Sequence, residues 1–169
     1  MPVPTNAMRR DFPNLHWYTE TSDPTARYNC HAWGADTNAV WWEPARPDQH
    51  PSFPWARIYW PAGLPLYDLS LANFRRAHGS VGFEVCIDGT FDDGFEKVAH
   101  YMIGLDVQHT ARQLPWGTWT SKLGMGMDIE HGDPQALEGP KYGAVAGYMR
   151  RRSQAKLVPP ASGLLFAKP

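Results

Sequence analysis

The sequence has few cysteines, no long apolar run and no excess of charge of either sign. Only Cys30 and Cys86 occur among 169 residues, whereas small secreted domains that depend on disulfides carry more cysteines. No window approaches the roughly 18 apolar residues of a membrane span, and the first residues contain no apolar stretch of signal-peptide length. We therefore expect a cytoplasmic protein with free thiols and no membrane association.

The charge balance and the aromatic content restrict the class of protein further. Sixteen basic and seventeen acidic residues give a net charge of -1, so nothing predicts nucleic acid as a partner. Eight Trp, seven Tyr and seven Phe beside sixteen Pro indicate an aromatic-rich chain with long loops. The length fits one domain with a substantial core.

The distribution of Pro, Thr, Asn and Asp suggests three regions. Residues 1–27 lack sustained periodicity and predict an extended arm that docks through Phe12 or Trp17. Residues 28–152 predict a single α+β domain. Residues 153–169 are expected to form a tail.

Two helices are predicted in the first half of the domain. Asn29 is a good N-cap residue and apolar spacing follows it, so we expect a helix over 30–42. Six prolines make residues 44–67 mostly irregular. A second helix is expected to start at Asp68 as its N-cap and to end at Gly79.

The second half of the domain predicts an antiparallel meander. Short β-rich runs alternate with turn residues such as Asp88-Gly89. A one-turn helix is expected at Asp133-Pro134. The predicted strands are 82–87, 95–103, 107–114, 118–123 and 142–150. The fold class is therefore α+β, with the helix after Asn29 packed on an antiparallel sheet of four or five strands.

Cys30 is the candidate nucleophile because it lies in the first turn of the predicted helix. Backbone N–H groups and the helix dipole stabilise a thiolate there. A thiol nucleophile needs a base, and His109 is the best candidate. His109 alternates with Val107 and Ala111, on the strand face that we expect to pack toward the helix.

Further polar residues are candidates for roles around this pair. Lys97 and Ser121 lie on otherwise apolar strand faces, where each must find a partner. Ser121 is the candidate third catalytic residue, and Ser121 or Asp128 is expected to orient His109. Substrate binding is assigned to Asn29, Trp33, Lys97 and Asp128.

A zinc site is the competing interpretation, because Cys30, His31, His109 and His131 carry suitable ligand atoms. Their spacing argues against it, since no Cys-x-x-Cys or His-x-x-x-His pair is present. The glycines of 124–127 lack the lysine of a phosphate-binding loop. We therefore predict neither a metal nor a cofactor.

Several motifs resemble those of a family of uncharacterised, mostly bacterial proteins, over about residues 11–150. The motifs are Tyr28-Asn29-Cys30-His31-Ala32-Trp33, Gly94-Phe95-Glu96-Lys97-Val98-Ala99, His109-Thr110-Ala111-Arg112-Gln113-Leu114, Trp119-Thr120-Ser121-Lys122-Leu123-Gly124 and Asp128-Ile129-Glu130-His131. This family resemblance implies a domain of unknown function.

The order of Cys30 and His109 also resembles that of papain-like and NlpC/P60-like cysteine peptidases and amidases. An NlpC/P60-like match places Lys97 where the catalytic histidine belongs, and His109 then takes the third position. A papain-like match makes His109 the base and puts Ser121 or Lys122 where an asparagine is usual.

The leading hypothesis is a papain-like thiol hydrolase for peptide or amide substrates. Cys30 attacks the carbonyl, His109 transfers the proton, and the Cys30 backbone N–H helps to hold the oxyanion. The alternative is a non-catalytic binding module, of an effector or immunity type, that uses the aromatic loop 41–67. That alternative predicts a buried Cys30 with no histidine within hydrogen-bond reach.

Overall fold

A mostly antiparallel sheet of seven strands forms the centre of the protein, which a computed structural model describes over residues 2–46 and 57–153. The helices are α1 (Asn6–Asp11), α2 (Cys30–Gly34) and α3 (Leu71–Gly79), with a 3₁₀ turn at Pro134–Leu137. The strands are β1 (Thr19–Glu20), β2 (Trp41–Trp42), β3 (Ile58–Tyr59), β4 (Glu84–Cys86), β5 (Phe95–Ile103), β6 (Asp106–Gln113), β7 (Trp119–Lys122), β8 (Asp128–His131) and β9 (Ala144–Arg152). The result is a mixed α/β architecture with little helix.

The strand order is β1-β8-β7-β6-β5-β9-β4, and β2 pairs with β3 in a separate parallel ladder. Strands β5, β6 and β7 form part of the expected meander, and β8 extends it. Strand β4 does not continue it, because β9 returns between β4 and β5 and pairs antiparallel with both. The last strand of the chain is therefore an inner strand of the sheet, and β4 is an edge strand.

Two strands of the seven-stranded sheet lie where the sequence predicted none. Strand β1 belongs to the predicted arm and pairs with β8 through Thr19↔Glu130 and Glu20↔Ile129. Strand β8 directly follows the glycines of 124–127 and is not among the predicted strands. Both are short, and neither carries a long alternating pattern, so the predicted number of four or five strands was too small.

The sheet has two differently covered faces. On the face we call the arm face, Phe12, Leu15 and Tyr18 of the N-terminal segment pack onto Ala111 and Trp119. Phe12 is buried, as its proposed docking role requires. The opposite face, which we call the helix face, carries Thr110, Arg112 and Thr120 and is covered by α2.

Helix α2 has only five residues, so the prediction of a helix over 30–42 was wrong. The chain leaves the helix through Asp36, which has φ +63°. The N–H groups of Asp36 and Thr37 donate to the carbonyls of Trp33 and Ala32, which is the bonding pattern of a Schellman motif. Because aspartate rather than glycine takes the left-handed position, the sequence did not signal this helix end.

Helix α3 begins later than predicted, because Ser70 rather than Asp68 is its N-cap. The Asp68 carboxylate instead accepts a hydrogen bond from the Ser70 N–H. The 3₁₀ turn starts at Asp133 and Pro134 as expected. Residues 47–56 of the predicted irregular stretch and 154–169 of the predicted tail lie outside the described residues.

None of the helices in the described ranges is long and apolar enough to cross a membrane.

Candidate functional site

Cys30 is the first residue of α2 and is 8% exposed. Burial raises the pKa of its thiol to about 12, although backbone N–H groups of Thr110, Cys30 and His31 act in the opposite direction. Desolvation therefore outweighs the helix start, and the resting side chain is a neutral thiol.

Asn29 joins the start of α2 to β2. Its Oδ1 accepts from the Ala32 N–H at 3.1 Å and from the Trp42 N–H at 3.0 Å. Its Nδ2 donates to the Trp42 carbonyl oxygen at 2.9 Å. Every polar atom of the side chain is thus occupied in holding Cys30 in place, which is a structural role rather than the predicted substrate contact.

We predict that Asn29→Ala lowers the free energy of unfolding by about 3 kcal/mol, because it removes a cap and leaves both backbone groups of Trp42 unpaired. Ser70→Ala is the matched control, since Ser70 caps α3 with a single hydrogen bond, and should cost about 1 kcal/mol. Urea denaturation followed by tryptophan fluorescence compares them. Equal losses would contradict the bridging role of Asn29.

His109 begins a chain of buried hydrogen bonds on the arm face. Its Nε2 lies 3.0 Å from Ser121 Oγ, which lies 2.9 Å from His131 Nε2. His131 Nδ1 in turn lies 3.1 Å from the carbonyl oxygen of Asp133. His109, Ser121 and His131 are fully buried.

The Asp133 carbonyl oxygen, at the end of this hydrogen-bond chain, determines which atoms carry the hydrogens. The Asp133 carbonyl only accepts, so His131 Nδ1 carries the hydrogen. Burial lowers the pKa of His131 to about 4, so its ring is neutral and Nε2 accepts from the Ser121 hydroxyl. Ser121 then accepts from His109 Nε2–H. Burial also holds the pKa of His109 well below its usual range, which leaves the lone pair of Nδ1 free.

His109 Nδ1 is buried and has no hydrogen-bond partner within the described parts of the chain. An unpaired buried acceptor is uncommon and requires an explanation. In this case the unpaired atom is the basic nitrogen of the residue predicted to act as the base.

The prediction that His109 faces the helix was wrong. Helix α2 contacts the other side of the strand, through His31 Nδ1 at 2.8 Å from Thr110 Oγ1. Between Tyr101↔His109 and Met102↔Val107 the register shifts, so Gln108 is an extra residue in β6. This bulge also separates Val107 from the His109 face.

Tyr142 connects the two halves of the site, and no sequence pattern indicated a role for it. Its ring stacks on His109 with centroids 4.0 Å apart and planes 5° apart. Burial raises the pKa of its hydroxyl, and the charge of an ionised Cys30 contributes to that shift. Cys30 is thus within electrostatic reach of the residue that packs on His109.

A second polar group lies beside Cys30. Burial lowers the pKa of Lys122, whereas Asp128 and an ionised Cys30 raise it. Asp128 accepts from the Tyr28 hydroxyl at 2.6 Å through Oδ2, while its buried Oδ1 has no partner among the described residues. Asp128 thus belongs to the surroundings of Cys30 and is not bonded to His109.

The two other predicted substrate-binding residues have different surroundings. Trp33 donates from Nε1 to Thr120 Oγ1 at 3.1 Å and packs under the Arg112 guanidinium at 4.4 Å. Lys97 is buried, with Nζ 3.1 Å from the Asp88 carbonyl oxygen and 3.5 Å from its carboxylate. Lys97 thus secures the loop after β4.

A cavity of about 510 Å³ lies beside His31, the residue after Cys30. Burial lowers the pKa of His31 to about 3, so this polar group of the cavity is uncharged at neutral pH. The lining is mainly apolar: Pro44, Ala45, Tyr67, Leu69, Phe74 and Val107, with His31, Glu43 and Gln108 as polar members. Tyr67 adopts φ +60°, a strained conformation that is enriched at functional sites.

Within the described ranges, no three His, Cys, Asp or Glu side chains are grouped so as to hold a metal ion. The residues considered as zinc ligands in the sequence do not form such a group either: Cys30, His31, His109 and His131.

Comparison with known proteins identifies the family. The model of a family described as a domain of unknown function (DUF7689) matches residues 19–150, and the chain belongs to this family. The match includes β1, which lies within the predicted arm. No curated protein and no solved structure matches the chain.

Proposed function

We propose that this member of the DUF7689 family is a thiol hydrolase of peptide or amide bonds, with a papain-like or NlpC/P60-like site. Cys30 is the nucleophile, His109 is the base and Ser121 orients the base. The observation that carries the proposal is the free Nδ1 lone pair of His109. The fixed hydrogen-bond chain through Ser121 and His131 leaves this one ring nitrogen with a free lone pair, which accepts a proton only transiently during the reaction because burial lowers the pKa of His109.

The resting pair is neutral, so proton transfer accompanies the attack. The Cys30 sulfur forms a bond to the substrate carbonyl carbon while its proton passes to His109 Nδ1. The carbon–nitrogen bond then breaks, and His109 returns the proton to the leaving amine. Water, deprotonated by His109, hydrolyses the thioester and restores the thiol.

Approach of the two groups is part of this mechanism, because Cys30 and His109 are not hydrogen-bonded in the described structure. Catalytic hydrogen bonds are often long before substrate binds. The stacked Tyr142 ring restricts His109 and the hydrogen bonds of Asn29 hold the backbone at the start of α2, so we assign the closing movement to rotation of the Cys30 side chain. The backbone N–H groups of Cys30 and Thr110 are the donors proposed for the oxyanion.

The cavity beside His31 is the proposed binding site for an apolar substrate group. Its mainly apolar lining and its neutral imidazole favour an aliphatic or aromatic side chain next to the scissile bond, although the lining also contains the acidic residue Glu43. Both cysteines are free, which fits the reducing cytoplasm that we propose as its location.

The test uses two substitutions of His109 in a Cys86→Ser background, so that Cys30 is the only thiol. In His109→Gln the amide nitrogen takes the place of Nε2 and keeps the bond to Ser121, but the base is lost. In His109→Asn a polar group remains near Nδ1 and the Ser121 bond is lost. Each protein is treated with a peptidyl acyloxymethyl ketone carrying Phe, and labelling of Cys30 is followed by intact mass.

We expect His109→Gln to label at least about 100-fold more slowly than the parent, in line with the loss of a general base. Its melting temperature should stay within a few degrees of the parent. Equal labelling rates in the parent and in folded His109→Gln would refute the role of His109. Iodoacetamide, which needs no positioning, should react slowly with both up to pH 9, because the Cys30 pKa is raised.

A binding protein without catalysis is the second candidate. Two features that it predicts support it: Cys30 is buried, and no histidine of the described residues is hydrogen-bonded to it. The raised pKa of the thiol favours it as well. This candidate predicts that the Phe-containing probe is not attacked by any variant. It also predicts that the corresponding Phe peptide amide binds equally to the parent and to Cys30→Ala. Binding without labelling would therefore replace the hydrolase by this function.

A further inference from the structure

A second cavity of about 400 Å³ lies at the edge of the arm face, apart from the residues assigned to the hydrolase. Three of its walls are aromatic: Phe91, Trp119 and Tyr148. Gly89 closes one side, and a Cβ added there would lie 2.7 Å from the Tyr148 ring and 3.2 Å from Trp119. The loop backbone therefore packs directly on two of the rings.

The lining of this cavity carries a negative charge and no positive charge. Asp133 lines it, and none of its other lining residues, all in the described part of the chain, is acidic or basic. The Asp133 Oδ1 accepts from the Ala136 N–H at 3.0 Å, which fixes the carboxylate at the start of the 3₁₀ turn. Aromatic faces with one carboxylate and no cation favour an organic cation.

Gln113 adds an unused acceptor to the same cavity wall. Its Nε2 donates to the carbonyl oxygens of Gly89 at 3.1 Å and Gly117 at 3.4 Å. Because both partners only accept, the amide orientation is determined. Oε1 is then an acceptor, and it is buried without a partner in the described structure. A ligand that carries N–H donors would satisfy it.

We propose that this cavity binds a guanidinium group, such as that of arginine. A guanidinium is planar, stacks on aromatic rings and presents several N–H donors to a carboxylate and to an amide oxygen. A quaternary ammonium ion would satisfy the aromatic walls but would leave the Gln113 acceptor unpaired. The proposal does not depend on the hydrolase, because it uses the Asp133 carboxylate, whereas the hydrogen-bond chain through His109 ends at the backbone carbonyl oxygen of Asp133.

Calorimetry on the full chain tests the site with n-butylguanidinium and with n-butylurea, a neutral compound of nearly the same shape. We expect a dissociation constant on the order of 1 mM for the cation, as for a good ligand of this size, and at least tenfold weaker binding of the urea. A second pair, acetyl-Gly-Arg-Gly-amide and its citrulline analogue, separates a peptide arginine from a small guanidine. Tighter binding of the arginine peptide than of butylguanidinium identifies a peptide ligand.

Variants of the full chain distinguish the effect of the Asp133 charge on binding from effects on the fold or on net charge. Asp133→Asn removes the charge but keeps a residue that caps equally well, and it should weaken guanidinium binding about tenfold. Asp23→Asn, an exposed change outside the cavity, makes the same change in net charge and should have no effect. Phe91→Leu should weaken binding severalfold. Equal affinity for the cation and the urea, or an equal loss in Asp23→Asn and Asp133→Asn, would overturn the proposal.

Discussion

Acidification from pH 7 to pH 5 is expected to remove about 10 kcal/mol from the free energy of unfolding, which is enough to unfold the protein. The cause is a set of fully or nearly fully buried histidines whose pKa values lie below the ordinary 6.5. Burial is the largest cause for each of them: His31 (about 3), His78 and His131 (about 4 each), and His100 and His109 (well below 6.5).

The direction of the effect follows from where the protons bind. A histidine whose folded pKa is lowered contributes its full stability above the unfolded pKa near 6.5. As the pH falls below 6.5 the unfolded chain takes up protons that the folded chain refuses, so stability is lost until the folded pKa is reached. By pH 5 each such histidine costs about 2 kcal/mol. The pair of His78 and His100 adds to this loss of stability at low pH, because their facing nitrogens lie 3.1 Å apart and share one proton.

Chemical denaturation at pH 7.5, 6.5, 5.5 and 5.0, followed by tryptophan fluorescence, measures the effect. The slope of the free energy of unfolding against pH, divided by about 1.4 kcal/mol, gives the number of protons taken up on unfolding. His131→Gln should lower that number by about one. His16→Gln, a change at the surface, is the control for a general effect of losing a histidine. A free energy of unfolding that stays constant between pH 7 and 5 would contradict the buried neutral rings.

Gly143→Ala is expected to destabilise the protein by about 4 kcal/mol, from backbone strain and overpacking together. Gly143 has φ +78°, and an added Cβ would lie 1.8 Å from the carbonyl oxygen of Met102 in β5. That obstacle is backbone in the centre of the sheet, so the loop before β9 must move. The neighbouring Tyr142 would then lose its position against His109.

Gly94→Ala is a closely matched control, because Gly94 has φ +79° and a Cβ there meets nothing within 4 Å. It should cost only about 1 kcal/mol, from strain alone. The difference between the two variants in urea denaturation isolates the contact with Met102. NMR of the His109 ring protons measures the loss of stacking on Tyr142 in Gly143→Ala. Equal stability of the two variants would contradict the close approach.

Local patterns predicted several elements well. Alternation over residues 95–103 matches β5, and Asn29 caps α2 as its residue type predicts. Asp133 and Pro134 start the 3₁₀ turn for the same reason. These features depend on interactions between residues close in sequence, so composition and spacing suffice to predict them.

The site was predicted in part. Ser121 was the expected partner of His109 and lies within hydrogen-bond distance of it, because both alternate onto the same face of neighbouring strands. His131 and Tyr142 were not assigned roles. His131 reaches Ser121 only because β8 pairs with β7, and Tyr142 reaches His109 only through the turn before β9. No local spacing encodes either contact.

The sequence by itself determined a thiol at a capped helix start, a polar strand pattern that includes His109, and an aromatic-rich domain that contains both helices and strands. The tertiary structure decided how far the helix extends, which sheet face it covers, and that burial leaves the Cys30 thiol and the His109 ring neutral. The physical reason is the sequence separation over which the interactions act, because capping and alternation involve residues only a few positions apart. Desolvation, the bulge at Gln108 and the pairing of β9 between β4 and β5 depend on segments far apart in the chain.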